Sequence, residues 1–348
     1  MLRFGKDFPL IRYVGNGNKL FGVKRRLSVL ALAASVLLPL GLSSAVQAAE
    51  GAPQRTEAIP FATETMSDVD FLKGGQGTPA TIAGVLRLPS AGTAKVPLVI
   101  MLHGSSGYLS YIDAWVDRMT KAGIASFVID SFSGRGLTSV RDDQASLGRL
   151  AGTLDAFRAL ETLSKHPRID PERIVLMGFS RGGQGALYSS VERFQAAHHN
   201  GPSQFAGFIS FYPNCSTRYI GDETLVKRPV RVFHGMADDF NAFAPCQSYV
   251  ERLKAAGQDV ALNAYPDSHH VFDWADLKTP LVNPKAQSVR NCRIAETEAG
   301  VITNLDTGKP FSYQDACVAQ GTTAAYNEPA AIAAEAGVRD FLKSLFKL

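Results

Sequence analysis

The stretch Arg173-Ile-Val-Leu-Met-Gly-Phe-Ser-Arg-Gly-Gly-Gln-Gly-Ala-Leu187 decides the fold. Ile174 to Met177 form a short apolar run that reads as a buried strand. From Gln184 onward the pattern reads as a helix, so Ser180 falls on the turn between them. That is the setting of a G-x-S-x-G nucleophile elbow, in which a serine is held above the end of a sheet strand. The flanking glycines suit a turn too tight for bulky side chains. The pentapeptide alone is a weak signal; its neighbours along the chain give it meaning.

Upstream, residues 97–102 and 124–129 are continuous apolar runs ending in His103-Gly104 and Asp130. Between them, Ile112, Trp115, Val116 and Met119 recur at helical spacing. The pattern repeats with a helix over 147–163, the strand before Ser180, a helix over 184–195, and strands at 205–211, 230–233 and 260–264. A helix at 251–255 precedes the last of these, and residues 81–88 read as an antiparallel start to the sheet. Residues 49–80 read as polar and irregular. Continuous β-rich runs alternating with helices predict an α/β fold, with a mostly parallel sheet covered by helices on both faces. Residues 274–330, rich in Asn, Thr, Gly and Pro, interrupt the rhythm. A connection of that length is usually functional or internally stapled. It reads as a surface insertion, with a lid among its open roles, before a final amphipathic helix over 330–346. The prediction is a single domain over 49–348.

The first 48 residues read as a leader. Lys24, Arg25 and Arg26 precede an apolar run over 27–42 and a small-residue stretch ending in Val46-Gln47-Ala48. These are the charged, apolar and cleavage regions of a signal peptide. The apolar run is shorter than the roughly 20 residues a membrane span needs, so no stable anchor is expected after cleavage. Sec and twin-arginine export both remain open. The leader holds seven Lys or Arg and one Asp, leaving 29 basic against 31 acidic residues in the remainder. The positive charge of the whole chain, +4, therefore belongs to the leader, and a nucleic-acid partner is not expected. Export to the periplasm or outside the cell follows.

The four cysteines, Cys215, Cys246, Cys292 and Cys317, form no C-x-x-C pair, which argues against zinc-ribbon and thioredoxin-like chemistry. An even count in an exported chain favours disulfides; the alternative is buried free thiols. Cys215 and Cys246 each follow a strand end, and Cys292 and Cys317 share the irregular segment, so the favoured pairs are 215–246 and 292–317. Each closed loop would contribute about 3 kcal/mol.

A serine hydroxyl needs a base to take its proton and an acid to orient that base. His234-Gly-Met-Ala-Asp238 follows one strand, and Tyr265-Pro-Asp-Ser-His-His270-Val-Phe272 follows the next. A parallel sheet gathers its strand ends on one edge, so Ser180, Asp238 and His270 are the expected triad, in the chain order of α/β-hydrolases. Asp239 and His269 are the competing neighbours, read as a turn residue and a rim residue. His103 reads as a structural hydrogen-bonding group, and His166, His198 and His199 as solvated. The backbone N–H groups of Arg181 and Ser105 are the expected oxyanion donors. The glycine-rich loop His103-Gly-Ser-Ser-Gly107 lacks the Lys-Ser/Thr of a phosphate-binding loop. No His spacing suggests a metal site, and no cofactor is expected. Arg135 could pair with a substrate carboxylate or be a solvated loop residue. Tyr108, Tyr111 and Phe132 could line an acyl pocket or simply pack.

Together, the His103–Gly107 loop, Asp130-Ser-Phe-Ser-Gly-Arg-Gly136, Arg168-Ile-Asp-Pro-Glu-Arg-Ile174 before Gly178-Phe-Ser-Arg-Gly-Gly183, His234-Gly-Met-Ala-Asp-Asp239 and Tyr265–Phe272 resemble the dienelactone hydrolase family of α/β-hydrolases. The resemblance spans most of 80–275 and the final helix. It implies cofactor-free hydrolysis of a small-molecule ester or lactone through Ser180, His270 and Asp238. Two departures stand out. The best-known members carry a cysteine where this chain has Ser180, and a glutamate where it has Gly104. They shift the expectation from dienelactone to general ester chemistry through an acyl-enzyme. A peptidase of the same fold and a non-catalytic binding protein on a hydrolase scaffold are the rival readings.

Overall fold

The computed structural model describes residues 55–348; the expected leader lies outside the described residues. The chain begins with β1 (Arg55–Thr65), α1 (Asp68–Leu72), β2 (Thr78–Leu88), β3 (Val96–Leu102), α2 (Ser110–Lys121), β4 (Ala125–Asp130) and α3 (Ala151–Leu163). It continues through β5 (Ile169–Phe179), α4 (Arg181–Tyr188), α5 (Glu192–His198), β6 (Gly207–Phe211), β7 (Thr217–Arg218), β8 (Val230–Gly235), α6 (Phe243–Ala255) and β9 (Val260–Tyr265). Then come β10 (Leu281–Ser288), β11 (Ile294–Glu298), β12 (Val301–Asn304), β13 (Lys309–Pro310), β14 (Ala319–Ala324) and α7 (Glu328–Phe346).

Eight strands form the main sheet in the order β1-β2-β4-β3-β5-β6-β8-β9. From β4 through β9 all neighbours run parallel, while β1 and β2 enter antiparallel. This is the expected mostly parallel sheet. Side chains alternate across it. Leu98, Ile100 and Leu102 of β3 enter the core beneath α3 to α6, while Val99 and Met101 enter the opposite core beneath α2 and α7. Each such buried side chain contributes about 1.5–3 kcal/mol. A strand apolar on both faces has nowhere else to go, so the central β3, β4 and β5 are the most sharply written in the sequence.

Three expectations are corrected. Within the stretch 49–80, the described residues 55–80 are not irregular: β1 pairs along its full length with β2. Its mixed burial hid it, because an edge strand needs only part of one face apolar and tolerates Pro60. The expected helix over 184–195 is two helices, α4 and α5, with Ser189 to Val191 between them. The segment 274–330 carries strands of its own. β10 pairs with β14, and β11, β12 and β13 form a small sheet with β7. Disulfides join Cys215 to Cys246 and Cys292 to Cys317. The second staples the small sheet, where Val289, Cys292 and Ile294 form a separate apolar cluster. Asn327 then caps α7 by accepting from the Ala330 N–H, with Pro329 in the first turn, where its missing N–H costs nothing.

Candidate active site

The turn after β5 carries Ser180 at φ 56°, ψ −116°, a strained conformation for a non-glycine residue that costs about 1–3 kcal/mol. The surroundings impose it. A side chain at Gly178 would lie 2.0 Å from the Gly182 carbonyl oxygen, and one at Gly182 would lie 2.3 Å from that of Leu102. The Ser180 N–H donates to the Phe211 carbonyl on β6 at 2.9 Å, and the Ser180 carbonyl accepts from Gln184 at 2.8 Å. The serine is thus pinned by strands on either side and by the helix that follows.

Ser180 Oγ lies 2.9 Å from His270 Nε2, and His270 Nδ1 lies 2.7 Å from Asp238 Oδ2. An ionised carboxylate only accepts, so Nδ1 carries the ring proton and Nε2 accepts from the serine hydroxyl. The second Asp238 oxygen accepts the N–H groups of Phe240 and Asn241, both at 2.9 Å. Burial alone would raise this carboxyl. The neighbouring His270, with His234 and the Asn241 N–H, instead holds it below the usual carboxylate range. The His270 imidazole is flanked by the rings of Tyr212 and Phe240, each centred 4.8 Å away.

His270, not His269, reaches the serine. Asp238, not Asp239, reaches the histidine. Asp239 turns the other way and accepts from the backbone and hydroxyl of Thr323 at 2.7 and 2.9 Å. His234 is buried and donates from Nε2 to the Asn241 carbonyl at 2.8 Å; burial lowers its pKa. His103 is buried below the glycine-rich loop, where its Nδ1 meets the Gly104 carbonyl at 2.8 Å and its Nε2 accepts the Ser131 N–H at 3.2 Å. That loop lies against the elbow: a side chain at Gly104 would sit 3.3 Å from Ser180 Cβ. Ser105 and Arg181 both line the cleft at Ser180. Arg181 opens α4, where a backbone N–H has no carbonyl within the helix to bond.

Two sequence expectations for substrate contact are corrected. Arg135 is buried inside the protein, its side chain 2% exposed. Its guanidinium takes both oxygens of Asp155 at 2.8 Å and bonds the carbonyls of Ser131 and Glu64 and the Thr65 hydroxyl. Every donor direction is used, because Asp155 is itself fully buried and needs a paired charge. Tyr108 is exposed, hydrogen-bonds Asp113 and does not line the cleft. Of the aromatic candidates, Phe132 packs edge-on against His103, and Tyr111 against Phe179 and Trp274.

The cleft wall was not legible in advance. Gln144 and Arg149 reach it from the connection before α3, Asn214, Phe240 and Asn241 from loops after β6 and β8, and Gln287, Ser288, Val289 and Tyr313 from the 274–330 segment. These residues share no motif; only chain crossings bring them together. A second missed group is Asp273, fully buried, with its carboxylate taking the Trp115 indole N–H at 2.7 Å and the Tyr212 hydroxyl at 2.8 Å. Burial raises its pKa. The contact ties the loop carrying His270 to α2 and to the Tyr212 ring that flanks it.

A profile of the dienelactone hydrolase family matches residues 82–296. The chain is 26% identical over 200 residues to a bifunctional acetylxylan esterase/xylanase of Neocallimastix patriciarum, covering 56% of this chain and 25% of that protein. It is 29% identical over 185 residues to a bis(hydroxyethyl) terephthalate hydrolase of Streptomyces coelicolor, covering 49% of this chain and 56% of that one. The match thus spans a quarter to about half the length of these relatives. Among solved structures, a dienelactone hydrolase-like promiscuous phosphotriesterase from metagenomic libraries superposes with a TM-score of 0.55 at 15% identity. That superposition covers 83% of this chain and 98% of the other. The shared feature is the α/β-hydrolase fold.

Proposed function

The chain belongs to the dienelactone hydrolase family, and from that premise we propose that it is a serine-dependent hydrolase of carboxylic esters or lactones. The observation that carries the reading is the unbroken chain Ser180–His270–Asp238, with contacts of 2.9 and 2.7 Å. Ser180 Oγ attacks the ester carbonyl carbon while its proton passes to His270 Nε2. Asp238 keeps Nδ1 protonated and balances the imidazolium that forms. The carbonyl oxygen becomes an oxyanion held by the backbone N–H groups of Arg181 and Ser105. As the intermediate collapses, the C–O bond to the alcohol breaks and His270 returns the proton to the departing oxygen. Water then repeats the sequence on the acyl-enzyme, releasing the acid and restoring Ser180.

The names of both relatives support ester cleavage. The serine in place of the family's familiar cysteine supports an alkoxide-type nucleophile that depends on its histidine. The two disulfides support export, with the leader cut after Ala48 and the mature chain in the periplasm or outside the cell. The test is covalent labelling of the mature chain with a small fluorophosphonate, alongside turnover of p-nitrophenyl acetate. Labelling is expected at Ser180 and lost in Ser180→Ala without a change in melting temperature. Inertness in both assays would overturn the proposal in favour of a binding protein on a hydrolase scaffold.

A further inference from the structure

The room beside Ser180 is small. The cleft shared by Ser180, Ser105 and Arg181 has an internal volume of about 30 Å3. A space of roughly 10–15 Å3 is the least that admits one water-sized group, so the cleft is only a few times that minimum. Its outer wall is Gln287, Ser288 and Val289, and Phe240 stands beside them. Val289 is buried and packs against Cys292 and Ile294, next to the disulfide, so it is not free to swing aside. The wall is also bonded to the loop that carries Asp238. The Ser288 hydroxyl donates to the Phe240 carbonyl at 2.7 Å. Arg290 bridges the carbonyls of Asp239 and Gly321 at 2.6 and 2.7 Å. Asp239 in turn clamps Thr323 through two hydrogen bonds.

A larger space borders the cleft beyond Gln144, whose N–H donates to the Gln287 side-chain oxygen at 2.9 Å. Gln144, Arg149 and Tyr313 also line a second space of about 270 Å3, reaching to Phe311 and Gln314. During turnover the alcohol must leave and water must enter while the acyl group stays on the serine. The larger neighbouring space therefore suits the alcohol, and the confined cleft at Ser180 the acyl group.

Resting on the serine-esterase reading, we propose that the Gln287–Val289 wall, held by the Asp239–Thr323 clamp, sets substrate choice. It admits acyl groups of two or three carbons, acetyl and propionyl, and places a bulkier alcohol in the larger neighbouring space. A longer acyl chain has to displace a wall that is both stapled and hydrogen-bonded. A misfitted methylene in such a pocket costs about tenfold or more in kcat/KM.

The experiment is a p-nitrophenyl ester series from acetate to octanoate on the mature chain. The expected result is a fall of about tenfold or more in kcat/KM between propionate and butyrate. Val289→Ala enlarges the niche directly, and Thr323→Val loosens the clamp from outside it. Each is expected to raise the butyrate-to-acetate ratio about fivefold or more, with melting curves confirming that both variants fold. A flat profile through octanoate, or unchanged ratios in both folded variants, would overturn the proposal. Fluorophosphonate labelling separates the two levels. Labelling with a flat profile removes only the acyl wall, whereas absence of labelling removes the serine mechanism beneath it.

Discussion

Arg135→Ala tests where the charge in the 131–137 loop is spent. The side chain is 2% exposed and its partner Asp155 is 0% exposed. Removing the guanidinium strands a buried carboxylate whose remaining side-chain contact is the Thr63 hydroxyl at 2.7 Å. Breaking a buried pair from one side costs about 3–5 kcal/mol. For a domain of this size that lowers the melting temperature by roughly 5–10 °C. The contacts of Arg135 with the carbonyls of Ser131 and Glu64 vanish as well, so the upper part of the range is expected. A substrate-binding arginine would behave in the opposite way, raising KM and leaving the melt alone. The assay is a thermal melt beside a Michaelis analysis on p-nitrophenyl acetate. Arg135→Met combined with Asp155→Leu should recover most of the lost stability, because an apolar pair of similar volume removes the stranded charge instead of exposing it. An unchanged melting temperature with a raised KM in Arg135→Ala would refute the structural role.

His270→Ala is expected to lower kcat by about 10³-fold or more, against a few-fold change at most for His269→Ala; steady-state rates with p-nitrophenyl acetate decide it, and the reverse order would move the base. Asp238→Asn should cost about 10⁴-fold in kcat through loss of the correct tautomer. The same substitution bears on pH: the folded-state carboxyl is held low, so its stabilisation is present above the unfolded value near 3.9 and is lost as pH falls through the folded one. Wild-type melting temperature should therefore fall more steeply below about pH 4 than that of Asp238→Asn, and parallel curves would count against the depressed carboxyl. Reduction of the disulfides opens loops of 31 and 25 residues, each worth about 3.5 kcal/mol; a lowered melting temperature is expected, and four free thiols by mass analysis of the unreduced protein would remove both bridges.

The local features of the site are written in short windows of sequence. A strand buried on both faces must be apolar throughout, as Ile174 to Met177 are. A turn squeezed between Leu102 and Phe211 must have glycine where Gly178, Gly182 and Gly183 stand. A parallel sheet brings the ends of β5, β8 and β9 to one edge, so Ser180, Asp238 and the loop bearing His270 could be placed together from chain order. The choice of His270 over His269 also follows from position within that loop.

Other residues carry no such local signature, because their roles depend on partners far along the chain. Arg135 looks the same in sequence whether it meets a substrate or Asp155; burial of that carboxylate against β1 settles it. Asp239 stands beside Asp238, yet its partner Thr323 is 84 residues away. Val289 and Tyr313 reach the cleft because a disulfide and a small sheet fold their segment back over the elbow. Sequence spacing reports strongly on contacts made through one backbone element, whose periodicity sets which side chains share a face. It is silent on contacts made by packing one element on another, and the cleft wall around Ser180 consists almost entirely of those.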